Sequence, residues 1–414
     1  MFWRSDPLPL PEPGETVLPY AWGRSYGDSC LNDGGALLDV TGLDRFISFD
    51  ETRGLIRCEA GVSLSEILAL TVPKGWFVPV VPGTQWVSLG GAIANDIHGK
   101  NHHRAGTFGA HVSCFELLRS SGERLLCSPE QHSDLFRATI GGLGLTGVIL
   151  WAELRLKRVP GAGIAMERIR FGSLDHFLDL AASDHEHEYT VAWVDCLARG
   201  RHLGRGLFLR GDHATGEEES RNGSGTLFRV AVDPPPGLIN LLTMKLFNLC
   251  YYRAQLHGTI RKLVPYQPFF FPLDRVGEWN RLYGPRGFFQ YQCVVPDDSG
   301  RTIASLLRRI SGSDETPSLA VLKRFGDLPS PGLLSFPRPG LTLAVDFVNR
   351  GPGTLKLLRL LDELVRDAGG ALYPAKDARM SGTDFRRSYP AWQSFAGHVD
   401  PRFSSSFWRR VTSS

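Results

Sequence analysis

The residues best suited to chemistry lie in the stretch Pro82–Gly109, PGTQWVSLGGAIANDIHGKNHHRAGTFG. Gly90 and Gly91 precede a short helix-like run, and His98, Lys100, His102 and His103 follow it. A glycine turn has no Cβ to hold a ligand away, so its backbone N–H groups can face an anion. Titratable side chains beside such a turn can move protons. The pattern suits a phosphorylated cofactor with a reacting centre next to it. Other polar residues also sit inside glycine- or aromatic-rich segments: Arg24 and Tyr26 in AWGRSYGDS, Gln290 and Gln292 in GFFQYQC, Lys323 in LKRFG and Lys376 in LYPAKDAR. Each alone reads as a structural hydrogen-bonder. Their recurrence in both halves of the chain favours a site.

Competing chemistries fit less well. His98 and His102 are four apart, as two zinc ligands on one helix face would be, but Gly99 lies between them and no third ligand is set beside them; no metal site is expected. His185-Glu-His-Glu188 reads as an exposed loop. Gly142–Gly147 fits G-x-G-x-x-G, yet a helix-like DLFRAT precedes it and a strand-like VILWAEL follows, the reverse of a dinucleotide fingerprint. There is no G-x-S-x-G elbow for serine hydrolysis. With 46 basic and 43 acidic residues the net charge is +3, too balanced for a nucleic-acid partner. Seven scattered cysteines without C-x-x-C spacing read as reduced thiols. The start, MFWRSDPLPLPEPGE, lacks the apolar core of a signal peptide. Pro79, Pro82, Gly83, Gly90 and Gly91 break the uncharged run Gly75–Asn95, so a soluble chain without a spanning helix is expected.

The positioning elements follow from local rules. A proline-rich entry strap leads to a strand at Ala36–Val40. Phe46–Phe49 and Leu55–Cys58 flank a turn and form a hairpin. Ser63-Leu-Ser-Glu66 is a capping box, which predicts a helix from Leu64 to Thr71 stopped by Pro73. Val112–Arg119 and Arg124–Cys127 form a second hairpin, Ser133 caps a helix over Asp134–Thr139, and Val148–Leu156 alternates as a strand. This order indicates α+β rather than a doubly wound sheet. Composition changes after Pro160. A helix at Leu174–Ala182 and a charged, Gly/Ser-rich surface loop at Gly211–Thr226 follow. Ile239, Leu242, Leu246, Leu249 and Cys250 recur at helical spacing; a core-facing stripe is the preferred reading over a lipid-facing one, despite Lys245, Arg253, Arg261 and Lys262 nearby. Strands are expected at Gly287–Val295 and Leu341–Phe347, helices at Thr302–Ser311 and Thr354–Ala368.

Three segments, GRSYGDS (23–29), Pro82–Gly109 and GGLGLTGVI (141–149), resemble the FAD-binding domain of the vanillyl-alcohol-oxidase-like flavoproteins. FPLDRVGEWNRLYGPRGFFQYQCVVP (271–296), LKRFG, LSFPRPG (334–340), VDF (345–347) and LYPAKDAR (372–379) are similar to a branch that oxidises a lipid-linked ribose. The resemblance implies an FAD-binding domain of two subdomains over 1–160, an α+β substrate-binding domain on a mainly antiparallel sheet over 161–370, and a return to the FAD-binding domain over 371–414. It assigns FAD to Trp22, Gly23, Arg24, Ser25, Tyr26, Gly27, Asp28, Ser29, Gly83, Ser88, Leu89, Gly90, Gly91, Asn95, Asp96, Ile97, His98, Ile149 and Tyr373. Tyr26 stands where covalently flavinylated relatives carry histidine, so the FAD is expected to be non-covalent.

The implied reaction passes a hydride from a carbinol carbon to the flavin. Lys376 is expected at the flavin pyrimidine end or the substrate oxygen, where a cation stabilises developing negative charge. His98 and Tyr26 are the candidates to take the hydroxyl proton, unranked between them. Gln290, Gln292 and Lys323 are expected to line the sugar pocket, with Lys100 facing a phosphate. The resemblance also implies a polyprenyl-phosphate sugar substrate, an NADH-dependent short-chain keto-reductase acting on the product, and a quinone or other electron acceptor. Peripheral contact with the cytoplasmic membrane follows from such a substrate. The alternatives are an alditol- or aldonolactone-type oxidase of a soluble sugar, whose expected histidine at position 26 is absent, and a non-catalytic lipid-phosphate binder on the same fold.

Overall fold

The computed structural model describes residues 3–215, 228–230, 237–298 and 300–413. The chain divides into two compact units. The first holds Met1–Pro160, Leu328–Pro337 and Pro374–Ser414; the second holds Gly161–Asp327 and Arg338–Tyr373. Leu328–Pro337 lies within the second half in sequence yet belongs to the first unit. The class is α+β.

In the first unit a five-stranded antiparallel sheet runs in the order Phe46–Asp50, Leu55–Glu59, Val148–Arg155, Val112–Leu118, Arg124–Cys127. Its strands alternate, and Ile56, Cys58, Phe115, Leu117, Leu150, Ala152 and Leu154 are buried in the core. The helix Leu64–Thr71 starts at the capping box. Ser63 Oγ accepts from the Glu66 N–H at 3.2 Å, and the Glu66 carboxylate accepts from the Ser63 N–H at 2.9 Å. The helix expected over Asp134–Thr139 begins at Ser133 itself, one residue earlier, with His132 in the capping position at φ 49°. The entry strap ends in Val17–Tyr20, which pairs in parallel with Ala36–Asp39. The C-terminal segment closes on this strand: the Val17 N–H donates to Arg402 O at 2.8 Å and the Ser404 N–H to Val17 O at 3.2 Å.

The second unit is built on an antiparallel sheet of eight strands. From edge to edge they are Thr259–Pro265, Gly163–Phe171, Gly206–Ala214, Tyr189–Val194, Pro317–Phe325, Gly340–Val348, Phe288–Val295 and Ala371–Leu372. Helices Arg301–Gly312 and Pro352–Asp367 contribute Ile303, Leu306, Leu307, Ile310, Leu357, Leu358 and Leu361 to its core. Of the loop expected at Gly211–Thr226, residues Gly211–Ala214 complete a strand, while 216–226 lie outside the described residues.

One expectation is overturned. The helix Leu241–Arg253 forms, but its leucine stripe does not face the core: Leu242 and Leu246 are exposed, and Met244 and Asn248 are buried instead. Periodicity shows that a stripe exists, not which side the rest of the fold covers. Among the described residues no helix is long and apolar enough to cross a membrane.

Candidate functional site

In the first unit, Ser88 caps the helix Leu89–Ala94, accepting from the Gly91 N–H at 3.1 Å. The Leu89 and Gly90 N–H groups donate to Val62 O and Ala60 O at 2.8 and 2.7 Å. The expectation that bare amides here face an anion therefore fails, because all three donors are taken by the protein. The glycines serve close packing: a Cβ on Gly90 would lie 2.9 Å from that of Ala60. Gly83, by contrast, faces open space. The Gly141–Gly147 loop braces the end of this helix, with the Gly141 and Leu143 N–H groups donating to Ile93 O and Ala94 O at 2.9 and 2.8 Å. It then enters the strand that carries the buried Ile149. Asn95 Nδ2 donates back to Gly91 O at 2.8 Å.

Asp96 follows in the left-handed region at φ 38° and is fully buried. Its carboxylate accepts from the Gly109 N–H at 2.8 Å and from Ser335 Oγ at 2.5 Å. Burial pushes its pKa up to about 6, against the opposing pull of those hydrogen bonds. Ser335 belongs to the returning segment Leu328–Pro337. The next residue, Phe336, lies against His98 with ring centroids 6.0 Å apart. Asp96 thus fixes the turn that presents Ile97 and His98, while His98 pairs with Thr107 across a two-stranded bridge. The His102 ring belongs to the helix that follows, His102–Ala105. Part of Lys100 reaches solvent, but its ammonium is enclosed, and lost hydration lowers its pKa to about 8.

The stretch Trp22–Ser29 is held by the C-terminal return. The Tyr26 N–H donates to Ala375 O at 2.9 Å, and a Cβ on Gly27 would overlap Asp377 O, so only glycine fits there. Lys376 Nζ lies 5.6 Å from the Tyr26 ring centroid. The fold thus joins two candidates from opposite ends of the sequence. Arg410 locks the arrangement: its guanidinium donates to both Asp28 oxygens at 2.9 and 2.7 Å and to Asp377 at 3.1 Å. Arg24 Nε donates to Trp86 O at 3.1 Å, tying this stretch to the Gly83–Gly91 region. Trp22 Nε1 donates to Gly61 O at 3.3 Å. Trp22, Tyr26 and Trp86 leave large aromatic faces in solvent, and Ser29 Oγ is buried with no hydrogen-bond partner among the described residues. Uncovered rings, an orphaned hydroxyl, an open glycine and a lysine are what a polar, planar cofactor such as FAD needs.

The second unit gathers its own polar face. Gln290 pairs with Asp346, Gln292 with Ala344, and Thr342 with both Val294 and Lys323. Because strand side chains alternate, these registers put Gln290, Gln292, Thr342, Asp346 and Lys323 on one face of three adjacent strands. Gln292 Nε2 donates to Thr342 Oγ1 at 3.1 Å and Gln290 Nε2 to Asp346 Oδ1 at 2.7 Å. Gln290 Oε1 is buried without a hydrogen-bond partner among the described residues. Lys323 Nζ stands 5.8 Å from the Phe325 ring centroid. Tyr373 is anchored in this unit, its N–H donating to Gln292 O at 3.0 Å. Sequence reasoning missed Thr342, Asp346 and Tyr283, whose hydroxyl lies 3.4 Å from Asp346 Oδ2. The alternation of LTLAVDF was the available signal. It also missed the clamp formed by Arg410 and Asp377.

Residues 11–128 match a family model described as an FAD binding domain. The chain is 39% identical to decaprenylphosphoryl-beta-D-ribose oxidase of Mycolicibacterium smegmatis, across 97% of this chain and 90% of that protein. It is 35% identical to an uncharacterized protein in the mprA 5' region of Streptomyces coelicolor, across 84% of this chain and 100% of that protein. A putative D-arabinono-1,4-lactone oxidase of Neurospora crassa is 31% identical over 31% of this chain and 23% of its own length.

Proposed function

The chain belongs to the FAD-dependent oxidoreductase family that contains decaprenylphosphoryl-β-D-ribose oxidase, and on that premise we propose that it oxidises the ribose 2-hydroxyl of a polyprenylphosphoryl-β-D-ribose to the 2-keto sugar. The observation that carries the reading is the approach of Lys376 to Tyr26 beside the Gly27 turn, which sets a cation and a phenol at one place in the cofactor-binding unit. FAD, once bound, accepts the hydride of the carbinol carbon.

The Trp22–Ser29 stretch, Gly83, Ser88–Gly91, Asn95–His98, Ile149 and Tyr373 are the residues proposed to hold it. Lys376 holds positive charge where negative charge develops in the transition state. Tyr26 or His98 takes the hydroxyl proton; His98 is the more rigidly seated of the two, buried against Phe336 and bridged to Thr107. In the second unit the orphaned Gln290 Oε1 accepts from a sugar hydroxyl, and Gln292 and Lys323 on the same face complete the recognition. Lys100 pairs with the substrate phosphate. The ketone is then open to an NADH-dependent short-chain reductase, so the two steps together epimerise ribose to the arabinosyl donor of envelope polysaccharide. A quinone or other acceptor regenerates the oxidised enzyme, and the lipid-linked substrate brings the protein to the membrane surface.

The test is anaerobic mixing of the FAD-loaded enzyme with polyprenylphosphoryl ribose, followed by absorbance. Flavin bleaching by this substrate and not by free alditols is expected. Bleaching by alditols alone would transfer the assignment to a soluble-sugar oxidase.

A further inference from the structure

The helix Leu241–Arg253 is inside out for a water-facing element. Its capping is sound: Asn240 Oδ1 accepts from the Leu242 and Thr243 N–H groups at 2.8 and 3.0 Å. Its buried side pairs the apolar Met244 with a polar anchor, Asn248. Asn248, 2% exposed, donates through Nδ2 to Asp195 Oδ1 at 2.8 Å. Beyond the helix end Gln255 is fully buried, donating through Nε2 to Arg168 O and Gly258 O at 3.0 Å and accepting from Arg168 Nε at 2.7 Å. Meanwhile Leu242 is 77% exposed, Leu246 61%, Phe247 52% and Leu256 82%. An isolated exposed leucine is ordinary, but four large apolar side chains exposed on and just beyond one rigidly tethered helix mark a contact surface.

The charges around this run identify the partner. From Gly237 to Leu273 the sequence contains no aspartate or glutamate, and Lys245, Arg253 and Lys262 are exposed, whereas the exposed Arg261 is paired with Glu167 of the neighbouring strand at 2.6 Å. Arg261, Lys262 and the exposed Leu263 stand on Thr259–Pro265, an edge strand of the eight-stranded sheet. Lysine is depleted at protein–protein interfaces, whereas leucine and phenylalanine among lysine and arginine, with no acid in the same segment, are what an interfacial helix presents to anionic headgroups.

We propose that Leu242, Leu246, Phe247 and Leu256 enter the surface of an anionic bilayer while Lys245, Arg253 and Lys262 pair with its headgroups. This surface rests on the lipid-linked substrate reading for its purpose, since it would hold the second unit where such a substrate resides.

The test is flotation of the FAD-loaded full-length protein with vesicles of phosphatidylcholine alone or mixed with phosphatidylglycerol. The wild-type protein should bind the mixed vesicles at least about tenfold better, and high salt should remove most of that preference. Leu242→Ser with Leu246→Ser should lose at least about tenfold of the binding, and Lys245→Glu with Arg253→Glu should lose the preference for anionic lipid. All four positions are exposed, so unfolding midpoints should not move. Absence of vesicle binding by the wild type, or equal binding by the leucine variant, overturns the proposal; so does a dimer in sedimentation that the leucine variant abolishes without any vesicle binding. Turnover of a short-prenyl substrate in detergent is measured in parallel. Its absence in the wild type would sink the substrate reading, while the flotation result would still decide the surface.

Discussion

Asp96 gives the most quantitative prediction. It is buried, in the left-handed region, and its pKa rises from 3.8 to about 6 because burial outweighs the hydrogen bonds from Ser335 and Gly109. In the unfolded chain the carboxyl returns to its ordinary value, so between about pH 4 and 6 the folded state binds the extra proton. The stability this proton confers is complete below pH 4 and lost as pH rises through about 6; above that it is gone. A rise from 3.8 to about 6 is worth about 3 kcal/mol at ~1.4 kcal/mol per tenfold in proton affinity. Asp96→Asn cannot titrate, tolerates φ 38°, and keeps an acceptor for the Gly109 N–H. The stability difference between wild type and Asp96→Asn should therefore swing by about 3 kcal/mol against the wild type from pH 4 to pH 7. Urea unfolding at a series of pH values measures it, and subtracting the variant removes every other carboxylate. Asp96→Ala supplies a second arm. It strands the Gly109 N–H and the Ser335 hydroxyl at ~1–3 kcal/mol each, and an αL backbone adds about 1 kcal/mol. A total loss of about 3 to 7 kcal/mol relative to Asp96→Asn is expected at any pH. A pH-independent difference for the asparagine variant, or an alanine variant within 1 kcal/mol of it, would refute the assignment of Asp96 as the buried anchor of this turn.

Lys376→Ala should retain FAD and lose substrate-driven bleaching; unimpaired turnover removes Lys376 from the reaction. With tyrosine at position 26, acid precipitation of the holoenzyme should leave the yellow colour in the supernatant. Lys100 has its pKa lowered to about 8 by lost hydration, so its cationic form fades above that pH. If it holds the substrate phosphate, kcat/KM should fall about tenfold per pH unit beyond pH 8, and Lys100→Arg should flatten the profile. Arg410→Ala leaves Asp28 and Asp377 without their shared cation and should cost about 2 to 4 kcal/mol by urea unfolding, together with weaker FAD retention.

What could be read from the sequence was what local rules decide. The Ser63–Glu66 capping box, the hairpins on either side of Glu51–Gly54 and of Ser120–Glu123, and the helix at Leu174 each depend on residues a few positions apart. Helix limits moved by a residue or two, as at Ser133, because capping depends on backbone angles. Site residues were legible only as fragments. Nothing local in GRSYGDS or LYPAKDAR says that Tyr26 and Lys376 meet; family resemblance supplied both, and the Tyr26–Ala375 hydrogen bond shows how the fold joins them. The resemblance named Asp28 as a flavin contact but gave no sign of Arg410 or of their pairing, since an aspartate and an arginine far apart in sequence are ordinary surface residues until the return places them together. Asp346 and Thr342 were hidden differently: strand alternation gives two faces for each strand, but only the registers with Phe288–Val295 and Pro317–Phe325 show which face holds Gln290, Gln292 and Lys323.

The helix Leu241–Arg253 and the turn at Asp96 mark the same limit from opposite sides. A buried carboxylate and an exposed leucine stripe both violate what composition alone would assign, and both positions are tied down by hydrogen bonds that a freely adjusting chain would not need. At Asp96 those bonds run to Gly109 and Ser335; around the helix they run from Asn248 to Asp195 and from Gln255 to Arg168. In each case polar partners from distant segments outweigh the local preference. Departures of this kind concentrate where a fold serves something other than its own stability. Here one departure holds the turn that presents His98, and the other holds leucines out in solvent.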